Sequence, residues 1–254
     1  MNRLSFENIY TAGEIVYQSD LYVHYHYPEM LIKFDSNYLK FQNMPTLTAF
    51  KEAATYLYNF HLQQHQYHVK FTFPENRKPT EELIHHFLQN NYAYSYLELF
   101  SIQPDQFPRI EKNMDIAIEL VTAANFDTYL QLQYQQDISY GKAFAEAKPY
   151  EYRQQFQSEN VMQILSYFQG NIAGSVDVIL DKDTAEIDSL FVLEEYRRKG
   201  IAARLQQFVM DQFPNKTIIL VADGEGTPRE MYINQNYRYL GFQYEAIKVF
   251  KEEN

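Results

Sequence analysis

The chain has 254 residues, 46% of them hydrophobic and 17% aromatic, with a net charge of −11. That length and apolar content suit one large domain or two ordinary ones and exclude wholesale disorder. The absence of cysteine excludes disulfides, thiolate metal sites and a cysteine nucleophile, and the acidic balance argues against general nucleic-acid binding, which uses a basic surface.

The N-terminal stretch MNRLSFENIYTAGEIVYQ has no apolar core of the signal-peptide kind. No apolar run approaches the roughly 18 residues of a membrane span. The expectation is a cytoplasmic protein with no membrane partner, whose acidity serves solubility. In the first half, MLIKFDSNYLKF (30–41) predicts two strands and LTAFKEAATYLYNFHLQQ (47–64) a helix. YHVKFTF (67–73) predicts a strand, TEELIHHFLQNNY (80–92) a helix and SYLELFSI (95–102) a strand. His61 and His65 are four apart on the helix, and His24 and His26 two apart on a candidate strand. Both spacings suit a metal, but no HExxH pattern or carboxylate cluster accompanies them, so no metal is expected.

IQPDQFPRIEKN (102–113) carries two prolines and mixed charge and reads as a linker. Composition changes across it. Residues 1–112 hold 12 acidic and 9 basic side chains and every histidine, whereas residues 113–254 hold 21 and 13 and seven of the eight glycines. Two domains are expected, 1–112 and 113–254. The second opens with a strand at 115–121, then a helical stretch from Phe126 to Gln157 broken around Gly141 and Pro149. Strands follow at 161–168, 172–180 and 185–192, and then the segment EYRRKGIAARL. Beyond it come an amphipathic helix stopped by Pro214, a buried strand at 216–222, and a helix opened by Thr227-Pro228-Arg229-Glu230, a capping-box pattern. Asn236 can end that helix, and the tail reads as two strands turning near Gly241. The fold class is mixed α/β.

In EYRRKGIAARL a loop meets the start of a helix, where unpaired N–H groups and the positive end of the dipole form an anion site. Gly200 permits close backbone approach, and Ala202 and Ala203 leave the first turn uncrowded. The segment IDSLFVLEEYRRKGIAARL resembles the acetyl-CoA-binding motif of the GNAT (Gcn5-related) N-acetyltransferase superfamily. Its Gln/Arg-x-x-Gly-x-Gly/Ala pattern is matched by Arg197, Gly200 and Ala202 after a strand ending in Leu190-Phe191-Val192. The likeness extends through the element order from 115 to about 250. It implies a GNAT acyl-CoA N-acyltransferase fold with acetyl-CoA as cosubstrate. Leu190, Phe191 and Val192 would pair with the pantetheine arm. Arg197, Arg198, Lys199, Gly200, Ile201 and Ala202 would hold the pyrophosphate, chiefly through backbone amides. Strand 216–222 would splay from the motif strand to admit the thioester.

Acetyl transfer to an amine requires a base for the ammonium and an acid for the departing thiolate. The family commonly uses a tyrosine acid in a Tyr-x-x-x-Gly-Phe pattern. Tyr237 fits that pattern before Gly241-Phe242, but Tyr232, in mid-helix, is preferred. Asp188 and Glu186 share one face of the motif strand, and Asp188, nearer the loop, is the candidate base. The first half repeats the later element order. FLQNNY parallels YINQNY, which puts Phe87, with no proton to give, where Tyr232 stands, and QNMPTLT has neither glycine nor basic residue. The N-terminal domain is expected to be a smaller, degenerate GNAT-like α/β domain without a CoA site. The acceptor is a small-molecule or peptide amine, and homodimerisation stays open. The alternatives are a non-catalytic acyl-CoA-binding module and an aminoacyl transferase. The intact Arg197-Gly200-Ala202 pattern disfavours the latter.

Overall fold

The computed structural model describes residues 4–226 and 228–251, without the side chain of Pro228. In chain order the elements are β1 (Glu14–Gln18), β2 (Tyr22–His26), β3 (Tyr38–Phe41), α1 (Leu47–Gln63), β4 (His68–Thr72), α2 (Glu81–Gln89), β5 (Ala93–Ile102) and β6 (Ile116–Leu120). Then follow α3 (Phe126–Asp137), α4 (Lys142–Gln157), β7 (Val161–Phe168), β8 (Asn171–Leu180), β9 (Thr184–Val192), α5 (Ile201–Gln212), β10 (Thr217–Asp223), α6 (Pro228–Asn234) and β11 (Arg238–Val249). Packing separates two units, one of residues 1–99, 222–229 and 240–254, the other of 100–221 and 230–239. Among the described residues no helix is long and apolar enough to cross a membrane.

In the first unit the strand order is β1-β2-β3-β4-β11-β5. Thr46 caps α1 by accepting from the Ala49 amide, and Phe50, Ala53, Leu57 and His61 form its buried stripe. The core is built of phenylalanine: Phe41, Phe50, Phe71, Phe73 and Phe87 are buried together. The rings of Phe71 and Phe87 lie 4.9 and 5.1 Å from that of Phe50, within the spacing that favours edge-to-face pairs.

Two expectations are corrected here. Of the two strands expected over 30–41, only Tyr38–Phe41 forms. The preceding residues make 3-10 turns at Pro28–Met30 and Phe34–Ser36. Asn37 explains this, because its side-chain amide donates to the Met30 and Lys33 carbonyls and its oxygen accepts from the Tyr27 amide. The local bonds of such a side chain replace ladder bonds. The tail is also one strand, β11, not two. Gly241 lies within it because a Cβ there would stand 2.5 Å from Asn76 Oδ1, and that oxygen accepts from the Phe242 amide. Glycine here serves close approach rather than a turn.

In the second unit the order is β10-β9-β8-β7-β6, with β9 and β10 parallel and the others antiparallel. α3 and α4 pack on β8 and β7, and α5 reaches β6 to β9. Gly141, at φ 112, breaks the helical stretch as expected. Pro149 does not, since it sits inside α4 between buried Ala145 and buried Tyr152. Packing on both sides of the proline outweighs the one lost backbone bond. Thr227, the expected cap of α6, lies outside the described residues.

The ends of α2 and α6 match. Asn91 and Asn236 take left-handed φ values of 58 and 67. The Tyr92 amide donates to the Phe87 carbonyl at 3.0 Å, and the Tyr237 amide to the Tyr232 carbonyl at 2.9 Å. The same short sequence signal therefore ends both helices in the same way.

Candidate active site

The site is built around the C-terminal half of β9. β8 and β9 pair regularly from Leu180↔Ala185 to Asp177↔Asp188, then resume at Ser175↔Phe191. Val176 alone thus opposes Ser189 and Leu190, and Ser189 has φ 50. This is a β-bulge, which bends a strand and re-aims the residues beyond it. The parallel register of β9 with β10 runs from Thr184↔Thr217 to Ile187↔Leu220. β9 continues to Val192 and β10 to Asp223 past that last pair. The two strands part after Ile187, and Leu190, Phe191 and Val192 line the β9 side of the opening, all half-buried. Backbone groups facing such a gap are available to an extended amide-bearing ligand. Phe191 and Leu193 rest on the Tyr129, Leu132, Tyr152 and Leu165 cluster, which fixes this strand end.

A 3-10 turn at Glu194–Tyr196 then leads to the loop. The Arg197 Nε donates to the Val192 carbonyl at 3.4 Å. Arg198 has φ 61, and Gly200 sits in the left-handed region at φ 84. A Cβ at Gly200 would meet nothing within 4 Å, so the glycine is required by its backbone conformation and faces open space. No side chain among the described residues caps α5. The amides of Ile201, Ala202 and Ala203 therefore carry the free donors and partial positive charge of a helix start. Ile201, Leu205, Val209 and Met210 bury the opposite stripe and anchor the helix. The Lys199 ammonium lies 4.6 Å from the Phe168 ring centroid and 5.0 Å from that of Tyr196. This cation–π seat fixes the lysine beside the loop, a contact for which the sequence carries no signal.

Tyr232 lies in α6, with its ring buried 5.4 Å from Phe100 and 5.3 Å from Tyr237. Burial pushes its phenol up to about 12. Tyr237 lies between α6 and β11, and its hydroxyl donates to Gln206 Oε1 at 2.9 Å. Burial, and secondarily Tyr232, raises the Tyr237 phenol well above its ordinary value. Of the two acidic residues on β9, Glu186 is buried and Asp188 half-buried.

One group beside Asp188 has no counterpart among the sequence expectations. Gln163, Asp177 and Asp188 are register partners across β7, β8 and β9, so their side chains leave the sheet on one face. Tyr129 of α3 donates its hydroxyl to Asp177 Oδ2 at 2.7 Å, and Gln163 Nε2 donates to that hydroxyl at 3.2 Å. The signal in the sequence is the Ser175 and Asp177 pair in IAGSVDVIL. Period-two polar residues there suggest a solvated face. The structure buries both instead, beneath α3 and α4.

An open helix start thus follows a bulged strand that parts from its parallel neighbour. Residues 129–241 match the model of the Acetyltransferase (GNAT) family, and residues 4–100 match a domain of unknown function, DUF5613. The C-terminal part of the chain is thus a GNAT domain, preceded by a separate N-terminal domain. No curated protein matches the sequence. Among solved structures, a functionally unknown conserved protein from Staphylococcus epidermidis is similar over 98% of both chains, at 28% identity and a TM-score of 0.91. A GCN5-related N-acetyltransferase from Kribbella flavida is 12% identical, with 93% of this chain and 89% of that one covered and a TM-score of 0.62. A tandem GNAT protein from the clavulanic acid biosynthesis pathway is 8% identical over 85% of this chain and 76% of its own, with a TM-score of 0.53.

Proposed function

We propose that the C-terminal domain is an N-acetyltransferase that moves an acetyl group from acetyl-CoA to a primary amine by direct attack. The observation that carries this reading is the pairing of the uncapped α5 start with the parting of β9 and β10. Amides from Arg198 to Ala202 hold the pyrophosphate, and the backbone of Leu190 to Val192 pairs with the pantetheine arm. The charge of Arg197 supports the phosphates, while Arg198 and Lys199 act mainly through their N–H groups.

The acceptor reaches the thioester from the other side of the splay. Asp188 takes the ammonium proton, the neutral amine attacks the carbonyl, and the C–S bond breaks as the C–N bond forms. A backbone N–H near the bulge stabilises the oxyanion. Tyr232, whose raised phenol keeps its proton at neutral pH, protonates the departing thiolate. No covalent enzyme intermediate is needed.

The first unit is, in the same reading, a degenerate GNAT-like domain. Its α1 start is closed by the Thr46 side chain where α5 is open, and Phe87 stands at the place of Tyr232, with the matching carbonyl bond. The test is thiol release from acetyl-CoA with spermidine, lysine amide and a glycyl peptide as acceptors. Amine-dependent release supports the reading. Saturable acetyl-CoA binding with no release in any arm reduces the domain to a CoA-binding module.

A further inference from the structure

The buried row beside Asp188 contains more acceptors than donors. Asp177 is buried, with Oδ2 satisfied by Tyr129, while Oδ1 is buried with no hydrogen-bond partner among the described residues. The amide oxygens of Gln163 and Gln133 are orphaned in the same way. Gln163 is the cross-strand partner of Asp177, and Gln133 donates to Ser175, two residues away on β8. A dry carboxylate with one empty oxygen is costly as an anion. A proton taken up on that empty oxygen removes the cost and gives the row a donor, with acceptors beside it. Asp188, its partner on the other flank, reaches the half-buried end of the same face.

We propose that Asp177 is the proton sink of the acetyl-transfer site: the proton leaving the acceptor ammonium passes to Asp188 and on to the inner oxygen of Asp177, which holds it until product leaves. The proposal rests on the acetyltransferase reading and deepens it. The ammonium N–H bond breaks as an O–H bond forms on Asp188, and that bond breaks as one forms on Asp177. After attack, the amide nitrogen sheds its second proton, which restores the Tyr232 phenol spent on the thiolate. Asp177 then loses its proton to water, so the sum is one amide, one free thiol and one proton.

The surroundings tune this site. Burial pushes the Asp177 carboxyl up to about 7, with Asp188 and Glu151 adding to the rise and the Tyr129 hydrogen bond and Lys148 opposing it. The groups acting on it are Tyr129 from α3, Lys148, Glu151 and Tyr152 from α4, and Asp188 from β9, with Asp137 of α3 acting on Lys148 and Tyr152. β7 contributes the neutral Gln163. Asp137 and Glu151 are engaged elsewhere, by the Tyr152 hydroxyl at 2.9 Å and the Lys148 ammonium at 3.0 Å. A group that changes protonation near neutral pH is the kind best poised to take up a proton in turnover.

The test uses the full chain, with aspartate carboxyls labelled with carbon-13 and followed by NMR across pH. One aspartate signal should titrate near 7, vanish in Asp177→Asn, move down in Asp188→Asn and move up in Tyr129→Phe. The Tyr129 variant decides the matter if Asp177→Asn does not fold. In parallel, the acid limb of kcat/KM with spermidine, lysine amide and a glycyl peptide should follow the same midpoint. Asp177→Asn should abolish that limb and leave acetyl-CoA affinity within about twofold, a difference well under 1.4 kcal/mol. No aspartate titrating above about 5, near the ordinary carboxylate range, overturns the proposal, as does a wild-type pH profile in Asp177→Asn. Loss of acetyl-CoA binding in the wild-type protein overturns the acetyltransferase reading instead and leaves the NMR result to judge Asp177.

Discussion

The Tyr237 hydroxyl donates to Gln206 Oε1 at 2.9 Å, which ties the segment after α6 to α5 through a fully internal bond. That bond separates the two tyrosines that compete for the role of acid. Tyr237 is committed to packing, whereas no described residue engages the hydroxyl of Tyr232. Tyr232→Phe should lower kcat by about 10²–10⁴-fold, the usual worth of a positioned proton donor, with acetyl-CoA affinity unchanged. Tyr237→Phe should keep turnover and lose about 1 kcal/mol of stability through its broken bond and the orphaned Gln206 oxygen. Thiol-release kinetics and chemical denaturation of the two variants check both outcomes.

At Gly200 the backbone, not the space, sets the requirement, because φ is 84 and nothing stands within 4 Å of where a Cβ would sit. Gly200→Ala should therefore cost about 1 kcal/mol of stability from left-handed strain, measured by denaturant unfolding. Gly200→Glu should abolish acetyl-CoA binding in calorimetry, since its carboxylate stands at the start of α5 where the pyrophosphate belongs. Arg198→Lys, which leaves the amide in place, should bind within about threefold of wild type.

Stability should fall on acidification through a histidine cluster in the first unit. Burial holds His24 down at about 3, His61 at about 4 and His68 at about 3, against an ordinary 6.5. His24, His61 and His68 are all buried. His61 donates Nδ1–H to the His68 carbonyl at 2.6 Å, and His68 donates to the Asn37 carbonyl at 3.2 Å. The unfolded chain binds these protons below about 6.5 and the folded one does not. The stabilisation is thus complete above that pH and is lost as pH falls toward about 3. Each buried histidine adds up to about 1.4 kcal/mol per pH unit to the slope. Thermal unfolding at stepped pH reads it, and His61→Gln should flatten the curve. Among the described residues no group of three or more potential ligands is arranged for a metal.

Gly241 offers a separate check on packing. Its place against Asn76 predicts that Gly241→Ala destabilises by about 1–3 kcal/mol through overpacking. Shortening Asn76 in an Asn76→Ser, Gly241→Ala double variant should recover part of that loss. A denaturation double-mutant cycle measures the coupling.

The parts of the fold that were legible in the sequence are those set by local pattern. The stripe from Ile201 to Met210, the strands flanking the 169–170 and 181–183 turns, and the left-handed Asn236 all follow from periodicity and turn chemistry. What was not legible depends on distant partners. Gly241 resembles a turn residue until Asn76 is seen against it, and Pro149 resembles a helix breaker until the packing of α4 is known. The loop was readable because a phosphate site needs its glycine and small residues next to one another in the chain. Asp177 was not, because its burial comes from Tyr129, 48 residues earlier.

The central claim is that the open start of α5 binds the pyrophosphate of acetyl-CoA, and thermal unfolding with and without acetyl-CoA tests it most directly. At about a hundredfold the dissociation constant, the ligand should stabilise the protein by about 2.7 kcal/mol. For a chain of this size that raises Tm by about 2–4 °C, and Gly200→Glu should show no rise. An unchanged Tm for the wild-type protein at millimolar acetyl-CoA would contradict the account.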